Sequence, residues 1–306
     1  MENLEDLFEI EKERLDIVDR LIKVRNTVII IAVLVFIVIF IKSGFSFSGN
    51  IFFTTISITI ISISLFFAYK AYSTKIYNHN FKNITLRKVL ADIDPSLKYY
   101  PYNYIDFKDF NNPRMYIRPD IYKGNDLVYG KYKGVNIKFS DLNLIEKVEI
   151  IDEKGHRKTS YRNIFKGICF IANFNKHFTS ETYIRSSRNA KTYGKRAYMD
   201  DTEFEREFNV YTNDQVNARY IITPLFMERL LLIKKLFNAP INMAFIDNKI
   251  YIYIEFNKDS FEPDINATLI GENSLIKKYQ VDIINLLNLV DELNLNRDIF
   301  SVIKER

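Results

Sequence analysis

Residues 27–41 (TVIIIAVLVFIVIFI) and 51–69 (IFFTTISITIISISLFFAY) are long apolar stretches without a single charge. Thirteen residues of the first are Ile, Val, Leu or Phe. At roughly −0.3 to −0.6 kcal/mol each near a helix centre, they favour membrane insertion by about 4–8 kcal/mol. This stretch falls short of the about 20 residues that cross a ~30 Å hydrocarbon core. Arg25 and Lys42 flank it, however, and their stems can lie in lipid while the charges reach the interface. The second stretch is long enough unaided. Its alternation of Ile with Ser or Thr is also a strand pattern, but an isolated strand leaves its backbone groups unsatisfied in lipid, so a helix is expected. On that helix Thr55, Thr59 and Ser62 share a face suited to close approach by a neighbour, most simply the first span. Residues 42–50 are all that connects the two, which predicts an antiparallel transmembrane hairpin (27–42 and 51–70). Lys12, Arg14, Arg20, Lys23 and Arg25 precede it, Lys70, Lys75, Lys82, Arg87 and Lys88 follow it, and its loop has only Lys42. That asymmetry places both termini in the cytoplasm. The acidic start and the second span argue against a cleaved signal peptide.

Outside the hairpin the pattern changes twice. Residues 1–26 read as a cytosolic amphipathic helix, with Leu4, Leu7, Phe8, Leu15, Val18, Leu21 and Ile22 at mainly helical spacing and Glu11 interrupting them. Its acids come first and its bases last, in keeping with the helix dipole; a solvated extension is expected. Residues 71–97 continue helical until Asp94-Pro95. An aromatic, turn-rich segment (99–115) leads into strands: a hairpin over 129–139 turning near Lys133-Gly134, a separate strand at 144–152, a turn at Lys154-Gly155, and the most apolar strand, 165–174, expected at the sheet centre. A short helix starts at Asp200-Asp201-Thr202, where Thr202 and Glu205 have capping-box spacing and Phe204 and Phe208 share a face. Residues 224–237 form the clearest helix, with Thr223 as cap, Pro224 at its first position, and Phe226, Leu230, Ile233 and Phe237 as its buried stripe. A hairpin (243–246 and 249–256) turns at Asp247-Asn248. A last helix, 274–295, carries Ile276, Tyr279, Ile283, Leu286, Val290 and Leu293 in a seam too short for a coiled coil, so it should dock on its own domain, with an oligomer contact as the alternative. The fold class is therefore α+β: the hairpin, then one cytosolic domain (71–306) with an antiparallel sheet and flanking helices.

Composition adds limits. About 235 residues after the hairpin suffice for a full core. A net charge of +5 gives no case for nucleic acid, and the single cysteine, Cys169, excludes disulfide scaffolds and cysteine-based zinc sites. The three histidines, His79, His156 and His177, lack metal-ligand spacing. Ser160 near His156 does not make a nucleophile–base pair, and Asp200 with Asp201 reads as a helix start. Gly130 and Gly134 look like hairpin turns rather than a phosphate loop. No catalytic, metal or cofactor-binding residue is assigned. One stretch is uneven in charge: residues 182–198 (TYIRSSRNAKTYGKRAY) hold Arg185, Arg188, Lys191, Lys195 and Arg196 and no acid. These cations can contact anionic lipid at ~1 kcal/mol per charge near a surface, or form an exposed loop in a balanced domain.

The succession FKNITLRKVLADIDPSLKYYP, DIYKGNDLVYGKYKGVNIKFSDL, FKGICFIANFNKHF, TEFEREFNVYTNDQVNARYIITPLFMERLLLI and AFIDNKIYIYI, over nearly all of residues 75–265, resembles a bacterial family, domain of unknown function 3137, sometimes mislabelled galanin-like. The chain departs from the family at Asn125, before Asp126, and around Thr179-Ser180. The resemblance implies two N-terminal transmembrane helices, no established activity and no cofactor. By gene neighbourhood it also implies a LemA-type membrane protein as partner. The expectation is a protein-interaction or scaffolding module on the bacterial inner membrane. The alternatives are an anionic-lipid module, or an enzyme or small-ligand receptor with a pocket near residues 99–104. Transport lacks an intramembrane charge to support it.

Overall fold

In this computed structural model the described residues are 2–42, 49–151, 157–173, 180–187, 189–271, 274–293 and 295, with side chains described from residue 8 in the first range and residue 53 in the second. Residues 43–48 of the expected loop, the turn at Lys154-Gly155, Arg188, His156, His177 and Thr179 lie outside them. The chain divides into two compact units, Met1–Leu86 with Pro263–Lys278, and Arg87–Glu262 with Tyr279–Arg306.

The first unit is built on α1 (Glu2–Lys42) and α2 (Gly49–Asn80). Both are long and apolar enough to cross a membrane, and no residue of their apolar windows is buried. Side chains such as Ile30, Leu34, Ile60 and Leu65 stand more than half exposed. One stripe differs. On α1 the positions Ile10, Arg14, Ile17, Leu21, Val24, Val28, Ala32 and Val35 are buried or half-buried, in steps of three and four. Thr55, Ile58, Ser62, Phe66, Ser73 and Tyr77 mark the matching stripe on α2. The helices pack along it, antiparallel, and Asn80 Nδ2 donates to Glu13 Oε1 at 2.8 Å at the end away from the connection. Of the three hydroxyl residues expected to face a neighbour, Thr55 and Ser62 lie in the stripe. Thr59 is exposed, its hydroxyl donating to the Thr55 carbonyl at 2.9 Å.

Residues 8–26 are not a solvated extension. Arg14 is buried; it is bonded to both Glu11 carboxylate oxygens (2.9 and 2.8 Å) and donates to the Ile265 carbonyl (2.8 Å). Glu11 also accepts from the Leu269 amide (3.0 Å). The residue that broke the apolar pattern is thus a ligand for backbone 258 residues away. Beyond α2 the chain stays helical to Ile93, as expected, with one irregularity. Residues Phe81–Leu86 form a π-helical turn, whose wider spacing lets Phe81, Lys82, Thr85 and Leu86 all be buried.

The second unit begins with α3 (Arg87–Ile93), which stops before Pro95. There follow β1 (Lys98–Tyr100), α4 (Phe107–Phe110), β2 (Ile121–Tyr132), β3 (Val135–Ile151), β4 (Arg157–Asn173), β5 (Thr182–Arg185) and β6 (Lys195–Ala197). Next come α5 (Thr202–Glu207), β7 (Asn209–Thr212), α6 (Gln215–Ile221), α7 (Pro224–Phe237), β8 (Ile241–Ile246) and β9 (Lys249–Ile254). The last helix, α8 (Leu275–Glu292), starts in the first unit and ends in the second. The strands form one antiparallel sheet in the order β1-β2-β3-β4-β9-β8-β5-β7-β6.

Lys133 and Gly134, both at positive φ, make the tight turn between β2 and β3, as expected; Asp247 and Asn248 do the same between β8 and β9. The strand expected at 144–152 is not separate. β3 runs unbroken through Ser140 and Asp141, because both side chains hold backbone: Ser140 Oγ accepts from the Ile105 amide (3.0 Å) and Asp141 Oδ2 from the Ser260 amide (2.8 Å). β4 takes the expected central place, but begins at Arg157. Its Gly167 (φ +151) sits where a Cβ would lie 2.0 Å from the Ile254 carbonyl, so only glycine lets β9 approach there.

Both faces of the central strands are covered, which explains the continuous burial of β8 and most of β9. On one face Leu142, Leu144, Phe165, Cys169, Tyr251 and Tyr253 pack with Ile105, Phe110, Met115 and Tyr116. Tyr253 touches the rings of Phe110, Tyr116 and Phe165 at centroid distances of 5.1, 5.2 and 5.9 Å. On the other face Phe139 stacks on Phe170, and Phe226 of α7 meets Phe245 of β8.

Candidate functional site

The four described cations of the 182–198 stretch do not form one patch. Arg185, at the end of β5, lies over the Tyr211 ring, donating to its hydroxyl (3.3 Å) and to the Ala190 carbonyl (3.4 Å). Arg196, on β6, is half-buried, ion-paired to Glu205 at 2.5 Å and bonded to Asn209. It also lies near the Tyr198 and Tyr211 rings. Both guanidinium groups therefore serve the edge of the sheet. Lys191 and Lys195 are exposed, although the Lys191 backbone is held by the Met115 carbonyl. Arg188 lies outside the described residues.

What roots this stretch is a buried polar network. Glu255 follows the last residue of β9 and is 7 % exposed. Its Oε1 accepts from Ser187 Oγ (2.7 Å), Asn242 Nδ2 (2.8 Å) and Tyr116 Oη (3.0 Å). Asn242 Oδ1 in turn accepts from the amides of Ser186 and Ser187 (3.0 and 3.1 Å). Burial, and then the Glu255 charge, push the Tyr116 hydroxyl far above its usual range, so it remains a donor. A buried carboxylate served by three neutral donors is costly to dismantle, and it fixes where residues 186 and 187 leave the sheet. A lone carboxylate at the end of an apolar strand was the signal for this network in the sequence.

The Asn125-Asp126 position falls on a bulge in β2. Asp126, at φ 57, turns its carboxylate inward to accept from Tyr99 Oη at 2.5 Å, while Asn125 donates to Asp259 (3.1 Å). Burial raises the Asp141 carboxyl from 3.8 to about 7, with Asp259 and Asp126 adding to the push. Among the described residues no group of three His, Cys, Asp or Glu side chains is placed to hold a metal.

The remaining candidates resolve simply. His79 is exposed at the end of α2. Asp201, rather than Thr202, caps α5, accepting from the Phe204 amide at 2.9 Å. Glu205 instead bonds the Met199 amide and Arg196. Tyr99 is buried, but Tyr100, Tyr102 and Tyr104 are exposed, Tyr100 stacked on Tyr129.

α7 presents a different surface. Phe226, Met227, Leu230 and Ile233 face the core, whereas Leu225, Leu232 and Leu236 are 48, 57 and 57 % exposed along its outer side. An open cleft of about 580 Å³ runs beside it, lined by Leu231, Leu232, Ala239 and Pro240 with Glu203, Glu207 and Glu228 among its charged residues. Lys234 and Glu207 pair across it at 2.6 Å, and that contact holds the Glu207 carboxyl below its usual range.

Residues 163–295 match the family described as "Protein of unknown function (DUF3137)". This bears out the family resemblance of the sequence and supplies no activity. No curated protein matches the chain. A solved structure, the "crystal structure of the mycobacterial trehalose monomycolate transport factor A, TtfA", is similar at 9 % identity, over 69 % of this chain and 95 % of that one, with a TM-score of 0.38. A likeness of that degree carries no argument about this protein.

Proposed function

With residues 163–295 matching a family of unknown function as the premise, we propose that this chain is an interaction module anchored in the bacterial inner membrane by α1 and α2, with both termini cytoplasmic. Two uncovered apolar helices support the anchor, and the cations flanking each span support the direction. The observation that carries the interaction role is the outer side of α7. Three leucines at positions 225, 232 and 236 stand exposed beside a cleft with apolar walls and a charged rim. A surface helix with such a row accepts an amphipathic partner helix, whose apolar side chains enter the cleft while polar ones meet Glu228 and Lys235. A LemA-type membrane protein is the candidate that the family resemblance supplies.

The test is a photo-crosslinking side chain at position 228, in the full chain in native membranes. A discrete adduct that disappears with Leu232→Asp and Leu236→Asp is expected. Adducts indifferent to those substitutions, or none, would remove α7 as the contact.

A further inference from the structure

A second open cleft, of about 540 Å³, lies at the other side of the sheet and involves five strands. Its charged side chains are Lys98, Lys131, Lys138 and Lys249, and among the described residues no carboxylate lines it. Pairing explains why these four share one face of the sheet. Lys98 stands opposite Tyr129, which stands opposite Lys138. One step along the same face, Lys131 is opposite Asn136, and Asn173 is opposite Lys249. Residues two apart on a strand share a face, and neighbouring strands lie about 4.8 Å apart, so Lys98 and Lys138 are about 10 Å apart at the backbone. The two asparagines place amide donors between the flanking ammonium groups.

Only Lys138 has a carboxylate partner, Asp109. Lys98, Lys131 and Lys249 are in no ion pair among the described residues. Four cations less the one countered leaves three on one concave surface, without the acids that balance charge elsewhere in the chain. Like charges gathered on one sheet face repel, and a multiply charged anion reverses that repulsion. A phosphate group, with three acceptor oxygens for ammonium and amide donors, has the matching chemistry.

We infer that this cleft is a binding site for a phosphate-bearing ligand, either a soluble phosphate compound or a phospholipid headgroup. It is separate from the α7 surface, so either assignment can fail without the other.

The test uses the full chain in nanodiscs. In neutral phosphatidylcholine discs, inorganic pyrophosphate is titrated against the wild type, Lys131→Gln with Lys249→Gln, the charge-keeping Lys131→Arg with Lys249→Arg, and Lys195→Gln as an outside control. The expected result is about tenfold weaker binding by the glutamine pair alone, with the arginine pair and the control close to wild type; this assigns a soluble phosphate. In a second arm, hydrogen exchange of residues 129–138 is compared between neutral and phosphatidylglycerol-containing discs. Protection that needs both the anionic lipid and the two lysines assigns a headgroup. Identical behaviour of wild type and the glutamine pair in both arms overturns the site.

Discussion

Residues 56–64 (ISITIISIS) and 249–254 (KIYIYI) alternate in much the same way, yet the first stretch is helix and the second is strand. The difference lies in where their polar groups find partners. In the α2 stretch Ser57 Oγ donates to the Phe53 carbonyl and Thr59 Oγ1 to the Thr55 carbonyl, each at 2.9 Å and within one turn. Its isoleucines other than Ile58 are exposed. In β9 the partners belong to other segments of the chain. Its backbone pairs with β4 and β8, and the Tyr253 hydroxyl donates to the Phe110 carbonyl 143 residues away, at 2.7 Å. Alternation therefore specifies a strand only where turns deliver neighbours to pair with it; a long uncharged run satisfies itself as a helix.

The largest effect should come from cutting the non-local side. Tyr253→Ala removes a fully buried ring in contact with three others and leaves the Phe110 carbonyl unpaired. It should cost about 3–5 kcal/mol, read as a lowered unfolding midpoint by tyrosine near-ultraviolet circular dichroism in detergent. The counterpart, Ile60→Ala, deletes a side chain 58 % exposed on α2 and should stay within about 0.5 kcal/mol. Equal losses at the two positions would erase the distinction.

Next comes pH. Asp141 is buried in β3, and burial brings its carboxyl to about 7. An acid whose folded-state value is raised binds its proton more tightly when folded. Its contribution is fully present below about pH 4, and is lost as pH rises through 7. The full swing from this group is about 4 kcal/mol at most. Unfolding free energy should therefore fall between about pH 4 and 7 by that amount at most, and Asp141→Asn should flatten that slope. A slope that survives Asp141→Asn would place its origin elsewhere. The serine and threonine hydroxyls of residues 56–64 carry no titratable proton in this range and add nothing to it.

The same contrast explains what could be read in the sequence. Locally specified features were legible: Thr223 and Pro224 start α7, and Asp247-Asn248 turn β8 into β9. Features set by distant partners were not. The helix pair was legible from composition, but the burial of Arg14 depends on Ile265, which no local pattern announces. β3 was divided at Ser140 and Asp141 because polar residues inside a strand read as a break until Ile105 and Ser260 supply their partners. The 182–198 stretch looked uniformly cationic because Glu205 and Tyr211, which engage Arg196 and Arg185, lie outside it. Asp201 displaced Thr202 as cap for a related reason: Glu205 is held by Arg196 and Met199, so it cannot complete the reciprocal bond.

The smallest expected effect tests the local side directly. Thr59→Val keeps the shape of the side chain and removes only the bond to the Thr55 carbonyl. That carbonyl remains in the helix ladder, and a hydroxyl bonded back to the preceding turn slightly weakens a helix rather than supporting it. The change should therefore leave stability within about 0.5 kcal/mol, with helix content unchanged by far-ultraviolet circular dichroism in detergent. A loss comparable to that of Tyr253→Ala would mean that Thr59 holds something beyond its own turn. The outward face of α2 would then be a contact surface rather than a lipid-facing one.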